Sequence, residues 1–179
     1  MKARFVTKAA LSALALAFAG TLPGVAQQTA SPAAAPAVDS VKASAVEKVF
    51  IVKMADIVQA GLKAGALDVK AVSGVLNEAV KADVSDRVMG AMVSMAAGAF
   101  PSSAPAVASA AVRSYGPNIR EGHVRNVIAS AVSSQSNPYA SVAPISEAVE
   151  KVLGNSPVAA AVSSIAVDVA AQTPDNPLS

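Results

Sequence analysis

An all-α fold is the prediction, and three features of the sequence carry it. Between residues 44 and 171 apolar side chains recur at helical spacing in segment after segment. No stretch there alternates apolar and polar residues with the two-residue period of a half-buried strand. Cap-forming residues and glycines punctuate the chain about once per helix. About seven helices are expected, near 44–64, 68–81, 84–98, 103–115, 118–133, 142–153 and 157–171. Antiparallel hairpins of such helices build either a compact bundle or a short solenoid of about three units, with the first helix closing one end.

Taken in order, residues 1–26 read as a secretory signal peptide. Lys2, Arg4 and Lys8 precede an apolar stretch from Ala9 to Ala19, Gly20 and Pro23 break it, and Gly24-Val25-Ala26 offers small residues for cleavage. The apolar run is shorter than the roughly 20 residues that span a bilayer, so no stable membrane span is expected after cleavage. Residues 27–43 carry Pro32 and Pro36 without apolar periodicity and read as an Ala/Pro-rich flexible linker.

The folded segment 44–171 follows as one helical domain. Ser44 and Glu47 form a capping-box pair, with Val46, Phe50, Met54 and Val58 as the apolar stripe and Gly65 as the stop. Asp68 caps the second helix, whose stripe is Val69, Val72, Leu76 and Val80, and Asp83 is the cap expected for the third, with Gly98 as its stop. The fourth ends at Gly116. Asn118 with Glu121 is the box expected to open the fifth, striped by Val124, Val127, Ile128, Ala131 and Val132. Ala143-Pro144 opens the sixth, with Ile145, Val149 and Val152, and Gly154 ends it. Ser156-Pro157 caps the seventh, with Val158, Val162, Ile165 and Val169. Residues 172–179, containing Pro174 and Pro177, read as a disordered tail.

A weak internal repeat runs beneath this punctuation. Ala104-Pro105 matches Ala143-Pro144 at an offset of 39, and Ile128-Ala129 matches Ile165-Ala166 at an offset of 37. That period suits stacked helical hairpins, although Ala and Val are common enough here for matches to arise by coincidence. The aromatic-and-proline pattern of tetratricopeptide repeats does not occur. Alanine on the helix faces lets backbones approach closely, so Ala111 and Ala131 are expected at tight contacts.

Composition excludes several kinds of chemistry. The 179 residues contain no Cys, which removes disulfide scaffolds, thiolate metal sites and cysteine nucleophiles together. A single His leaves few metal-site or general-base schemes. The formal charge of +2 belongs to the precursor: loss of Lys2, Arg4 and Lys8 leaves 11 basic against 12 acidic side chains, near −1. Bulk charge therefore gives no support to nucleic-acid binding. No Gly-x-Ser-x-Gly elbow, phosphate loop, dinucleotide fingerprint or zinc-protease motif is present, and no cofactor is implied.

Four groups are candidates for a site. Arg113, Arg120, His123 and Arg125 form a candidate anion or partner patch near the start of the fifth helix; the alternative is a solvated face with one Glu121–Arg125 pair. Met89, Met92 and Met95 fall at three-residue steps and mark a candidate apolar groove, or a stretch of core. Tyr115 and Tyr139 sit in or beside turns, either as a contact patch or with each ring covering a helix end and its hydroxyl in water. Asp83 and Asp86 lack the alternating oxygen ligands of a calcium loop and read as caps. The expectation is a non-catalytic, periplasmic or secreted interaction module of the bacterial envelope or exterior, whose partner is another envelope or secreted protein. Self-association through an exposed apolar end is a further expectation. A carrier for an apolar small molecule between the helices is the alternative.

Overall fold

The computed structural model describes residues 44–173. The signal peptide and linker expected at 1–43, and most of the expected tail, lie outside them. Among the described residues there are seven α-helices and no strand: α1 (Ala45–Ala64), α2 (Val69–Lys81), α3 (Asp86–Ala99), α4 (Ala104–Tyr115), α5 (Glu121–Ser133), α6 (Pro138–Leu153) and α7 (Val162–Gln172). The all-α expectation holds. None of these helices is long and apolar enough to cross a membrane.

The largest helix–helix interfaces join elements two apart in sequence, α4 with α6, α3 with α5, α2 with α4 and α5 with α7. The chain thus forms two layers, α1-α3-α5-α7 and α2-α4-α6. Cross-links between α3 and α5 give the direction of stacking. Asn126 Nδ2 donates to the Asp86 carbonyl at 2.6 Å, Ser94 Oγ to Ser130 O at 3.0 Å and Gln135 Nε2 to Ala97 O at 3.2 Å. Position advances together on both helices, so they run parallel. Between α1 and α2 it runs oppositely: Lys53 Nζ meets Glu78 at 2.7 Å, while Ile57 and Gly61 share a hollow with Asp68 and Ala71. Neighbours in sequence form antiparallel hairpins, and the hairpins stack in register into a compact bundle.

The offset seen in the sequence is the spatial step of this stack. Ser109 Oγ on α4 donates to Ala148 O on α6 at 2.9 Å, 39 residues on, and Pro105 and Pro144 line one hollow between the same helices. The Ala-Pro match thus pairs equivalent positions although their places within the helices differ.

Small residues set how closely the layers approach. A Cβ added to Gly90 would lie 2.7 Å from Ser130 Oγ, and one added to Gly61 would lie 2.9 Å from the Phe100 ring. Both helices could come no nearer with larger side chains. Helix α4 touches helices of its own layer on both sides and α3 and α5 opposite. Seven of its residues are buried: Ala104, Val107, Ala108, Ser109, Ala110, Ala111 and Val112. Ala131 on α5 is also fully buried.

Several ends follow the sequence. Ser44 Oγ accepts from Glu47 N at 3.2 Å and Glu47 Oε2 from Ser44 N at 2.8 Å, closing the capping box. Asp68 accepts from Ala71 N at 3.0 Å. Gly65, Gly116 and Gly154 end their helices at positive φ, as expected of glycine stops.

Other ends depart from it. Gly98 lies inside α3, with Ser134 against it; Pro101 keeps Phe100 out of the helical backbone (φ −133°, ψ 76°) and stops the helix there. Asp83 does not cap α3 but takes a left-handed backbone after α2, a conformation that Asp tolerates, and Ser85 becomes the N-cap residue. Asn118 does not open α5. Gly116–Asn118 forms a 3-10 turn, Ile119 runs extended against the core, and α5 starts at Glu121. Ala143-Pro144 does not open α6, because Asn137 accepts from Ala140 N at 3.1 Å and Pro138 takes the first position, leaving Pro144 within the helix. Ser156-Pro157 begins a turn rather than α7: Ser156 Oγ accepts from Val158 N at 3.4 Å, and a 3-10 turn at Ala159–Ala161 precedes the helix.

Two measurements follow. Ala111→Leu or Ala131→Leu is expected to destabilise the fold by about 1–3 kcal/mol in denaturant titration, since each adds volume at a fully buried site. An unchanged midpoint would mean that those faces have room to spare. Glu47 also accepts from Ser85 Oγ at 2.5 Å, tying α1 to α3. That bond first, with the Ser44 and Ser85 backbone donors, lowers its pKa from the ordinary 4.5 to about 2. The unfolded chain therefore takes up this proton before the folded chain does, and stability falls as pH drops through that window. Glu47→Gln should flatten this part of the acid limb of a melting-temperature profile; an unaltered limb would show that the carboxylate is not held.

Candidate functional site

The titratable groups nearest the expected patch converge in an unforeseen way. The positive φ of Gly116 turns the chain between α4 and α5 and places the Tyr115 and His123 rings face to face, centroids 4.3 Å apart and planes 7° from parallel. Tyr115 Oη donates to Asp86 Oδ1 at 3.1 Å, and His123 Nε2 lies 3.9 Å from the same oxygen. His123 Nδ1 accepts from Arg120 N at 3.2 Å, so the imidazole fills the N-terminal role expected of Glu121. Asn126, bonded to the Asp86 backbone carbonyl, completes the contact between the start of α3 and the start of α5.

This cluster is a clasp in which Tyr115 Oη, His123 Nδ1 and Asn126 Nδ2 are hydrogen-bonded. With Nδ1 accepting, a neutral His123 carries its proton on Nε2, toward Asp86. Burial first, then the Asp86 charge and the hydrogen bond to it, push the Tyr115 phenol well above its ordinary 10. The Tyr115 hydroxyl is therefore not left in water as the sequence suggested. The Tyr139 side chain is 55% exposed.

The four basic residues of the expected patch have separate neighbours. Arg120 is the N-cap residue of α5, and Arg125 Nη2 lies 3.6 Å from Glu121 within the same helix. His123 belongs to the clasp. Arg113 Nε donates to Ser109 O at 3.4 Å, and its side chain lines the seam between α4 and α6. Of the methionines, Met89 and Met92 have no exposed surface and Met95 is partly buried against the core. These side chains fill the interior where the sequence also allowed a groove. Among the described residues no group of three or more His, Asp or Glu side chains converges to hold a metal ion.

Sequence reasoning missed the furrow along that α4–α6 seam. Pro105, Ser109 and Arg113 recur every four residues on α4, and Pro144, Ala148 and Val152 do so on α6. Each rung is short except the last. The hollows along the seam measure about 350 Å³ beside Pro101, Pro105 and Pro144, about 480 Å³ beside Ser109, Ala148 and Lys151, and about 360 Å³ beside Gly116, Pro117 and Leu153. Arg113 lines both of the last two. The four-residue spacing of small residues was the available signal, but it reads equally well as packing. A separate apolar hollow of about 200 Å³ lies between α1 and α2, away from the methionines.

Comparisons of the chain with models of protein families, with curated proteins and with solved structures each give no match.

The clasp predicts a tyrosine titration. In a Tyr139→Phe variant the remaining phenol should stay protonated at pH 10 while circular dichroism remains native. A midpoint near pH 10 in folded protein would mean that the Tyr115–Asp86 contact is open in solution.

Proposed function

We propose that this chain is an exported, non-catalytic helical module that binds another protein of the bacterial envelope or exterior. The observation that supports this most directly is the open furrow between α4 and α6. Its cationic end carries Arg113 and Lys151, and neither has a carboxylate within ion-pair distance among the described residues. A rigid seam with unpaired charge at one end is a recognition surface, whereas the titratable cluster nearby is occupied by its own hydrogen bonds. Helix α1 adds a second exposed apolar surface at the end of the array, where Val46, Val49 and Val52 are each more than half exposed. This exposed surface supports self-association as a second mode of interaction.

Export enters the proposal from the N-terminal sequence. Gentle purification from the exported fraction of the native cells, followed by cross-linking and native mass spectrometry, tests both parts. The expected result is a polypeptide beginning at Gln27 and cross-linked to a second exported chain or to a copy of itself. An intact N-terminus confined to the cytoplasm would overturn export, and a chain that yields no cross-linked species would overturn the interaction reading.

A further inference from the structure

We propose that the α4–α6 furrow binds an extended acidic peptide segment of the partner protein. The segment would lay small apolar side chains over Pro105 and Pro144 and place carboxylates against Arg113 and Lys151. This rests on the interaction-module reading and specifies its partner's chemistry.

The dimensions suit an extended chain. From Pro105 to Arg113 the α4 edge of the furrow is about 12 Å long at 1.5 Å per helical residue. An extended strand covers that length in about four residues. The rungs Pro105, Pro144 and Ala148 are short, and at Ser109 the two walls are joined by the bond to Ala148 O, so a backbone can lie above that bond between the helices. An incoming helix is about 10 Å wide with its side chains, a poor fit to a seam that α4 and α6 already close beneath. The Ser109 hydroxyl is engaged with Ala148 O, which makes that bond part of the floor.

Charge fixes the chemistry at one end. Arg113 spends its Nε on Ser109 O and keeps its terminal nitrogens for a ligand. Lys151 stands one helical turn beyond Ala148 on the other wall. Of the two α6 carboxylates near Lys151, Glu150 is turned toward α7, where it accepts from Ser163 Oγ at 2.7 Å, and Glu147, one turn before Lys151, forms no ion pair with it among the described residues. A planar guanidinium beside a flexible ammonium suits carboxylates. No aromatic side chain lines the hollows along the seam, so a nucleic acid would find no stacking platform there.

The test is a titration of isotopically labelled protein, residues 27–179, followed by amide and side-chain chemical shifts. The probe is a synthetic eight-residue peptide of Pro and Ala with two Asp near one end. Controls are the same peptide with Asn for Asp, inorganic phosphate, and a single-stranded oligonucleotide of matching length. The expected result is saturable shifts along α4 and α6, a fit at least 10-fold weaker with the Asn peptide, and weakening as salt rises. The double variant Arg113→Glu, Lys151→Glu should lose the acidic peptide. Ala140→Trp, at an exposed position in the proline end, should weaken it by obstruction while melting stays unchanged. Shifts scattered over the surface, equal binding of the Asp and Asn peptides, or phosphate or oligonucleotide binding as tightly as the peptide would each overturn the proposal. So would no binding at millimolar peptide. If cross-linking in the native fraction still captures a partner, that failure removes the acidic segment and leaves the interaction reading standing.

Discussion

Close approach around α4 is the constraint on which the rest of the structure depends. This twelve-residue helix meets α2 and α6 within its layer and α3 and α5 across the other. Contact on so many sides leaves little room for side chains, and the sequence responds with Ala104, Ala108, Ala110 and Ala111 beside Val107 and Val112. A chain with 3% aromatic residues and no Trp cannot fill wide interhelical spaces with rings. It reaches native density by bringing backbones together. Gly90 against Ser130 and Gly61 beneath Phe100 apply the same solution at the flanking contacts.

The furrow and the clasp are consequences of that solution. Where the inner face of α4 is sealed by alanine and valine, the edge that faces α6 carries Pro105 and Ser109, and the Ser109 hydroxyl crosses to Ala148 O. A furrow results above that bond because the side chains flanking it are short. Nearby, the end of α4 and the starts of α3 and α5 are joined by stacked rings and a shared carboxylate, one turn from the Gly90 contact. One economy of side-chain size therefore yields both an open hollow and a close-packed turn.

Much of this fold was legible in the sequence. Helix existence and the stops at Gly65, Gly116 and Gly154 depend on local rules: periodicity, and a backbone conformation that glycine adopts without strain. Errors gathered where a distant partner decides. Gly98 resembles a stop in one dimension and serves as a contact surface for Ser134 in three. Pro144 looks like a helix start, yet Asn137 and Pro138 supply a better one seven and six residues earlier. The clasp was out of reach because Asp86 is 29 residues before Tyr115 and 37 before His123, with no local pattern linking them. The offset of 39 was visible, and its meaning as a stacking step became clear only from bonds such as Ser109 to Ala148.

That stacking step also bears on how the chain acquires its shape. Among the described residues the largest interfaces join helices two apart, about 40 residues along the chain, rather than its remote ends. Low contact order of this kind favours fast folding, because the entropy of closing large loops is not incurred before contacts form. A chain emerging from one end can settle hairpin by hairpin, each new pair docking on the one before it.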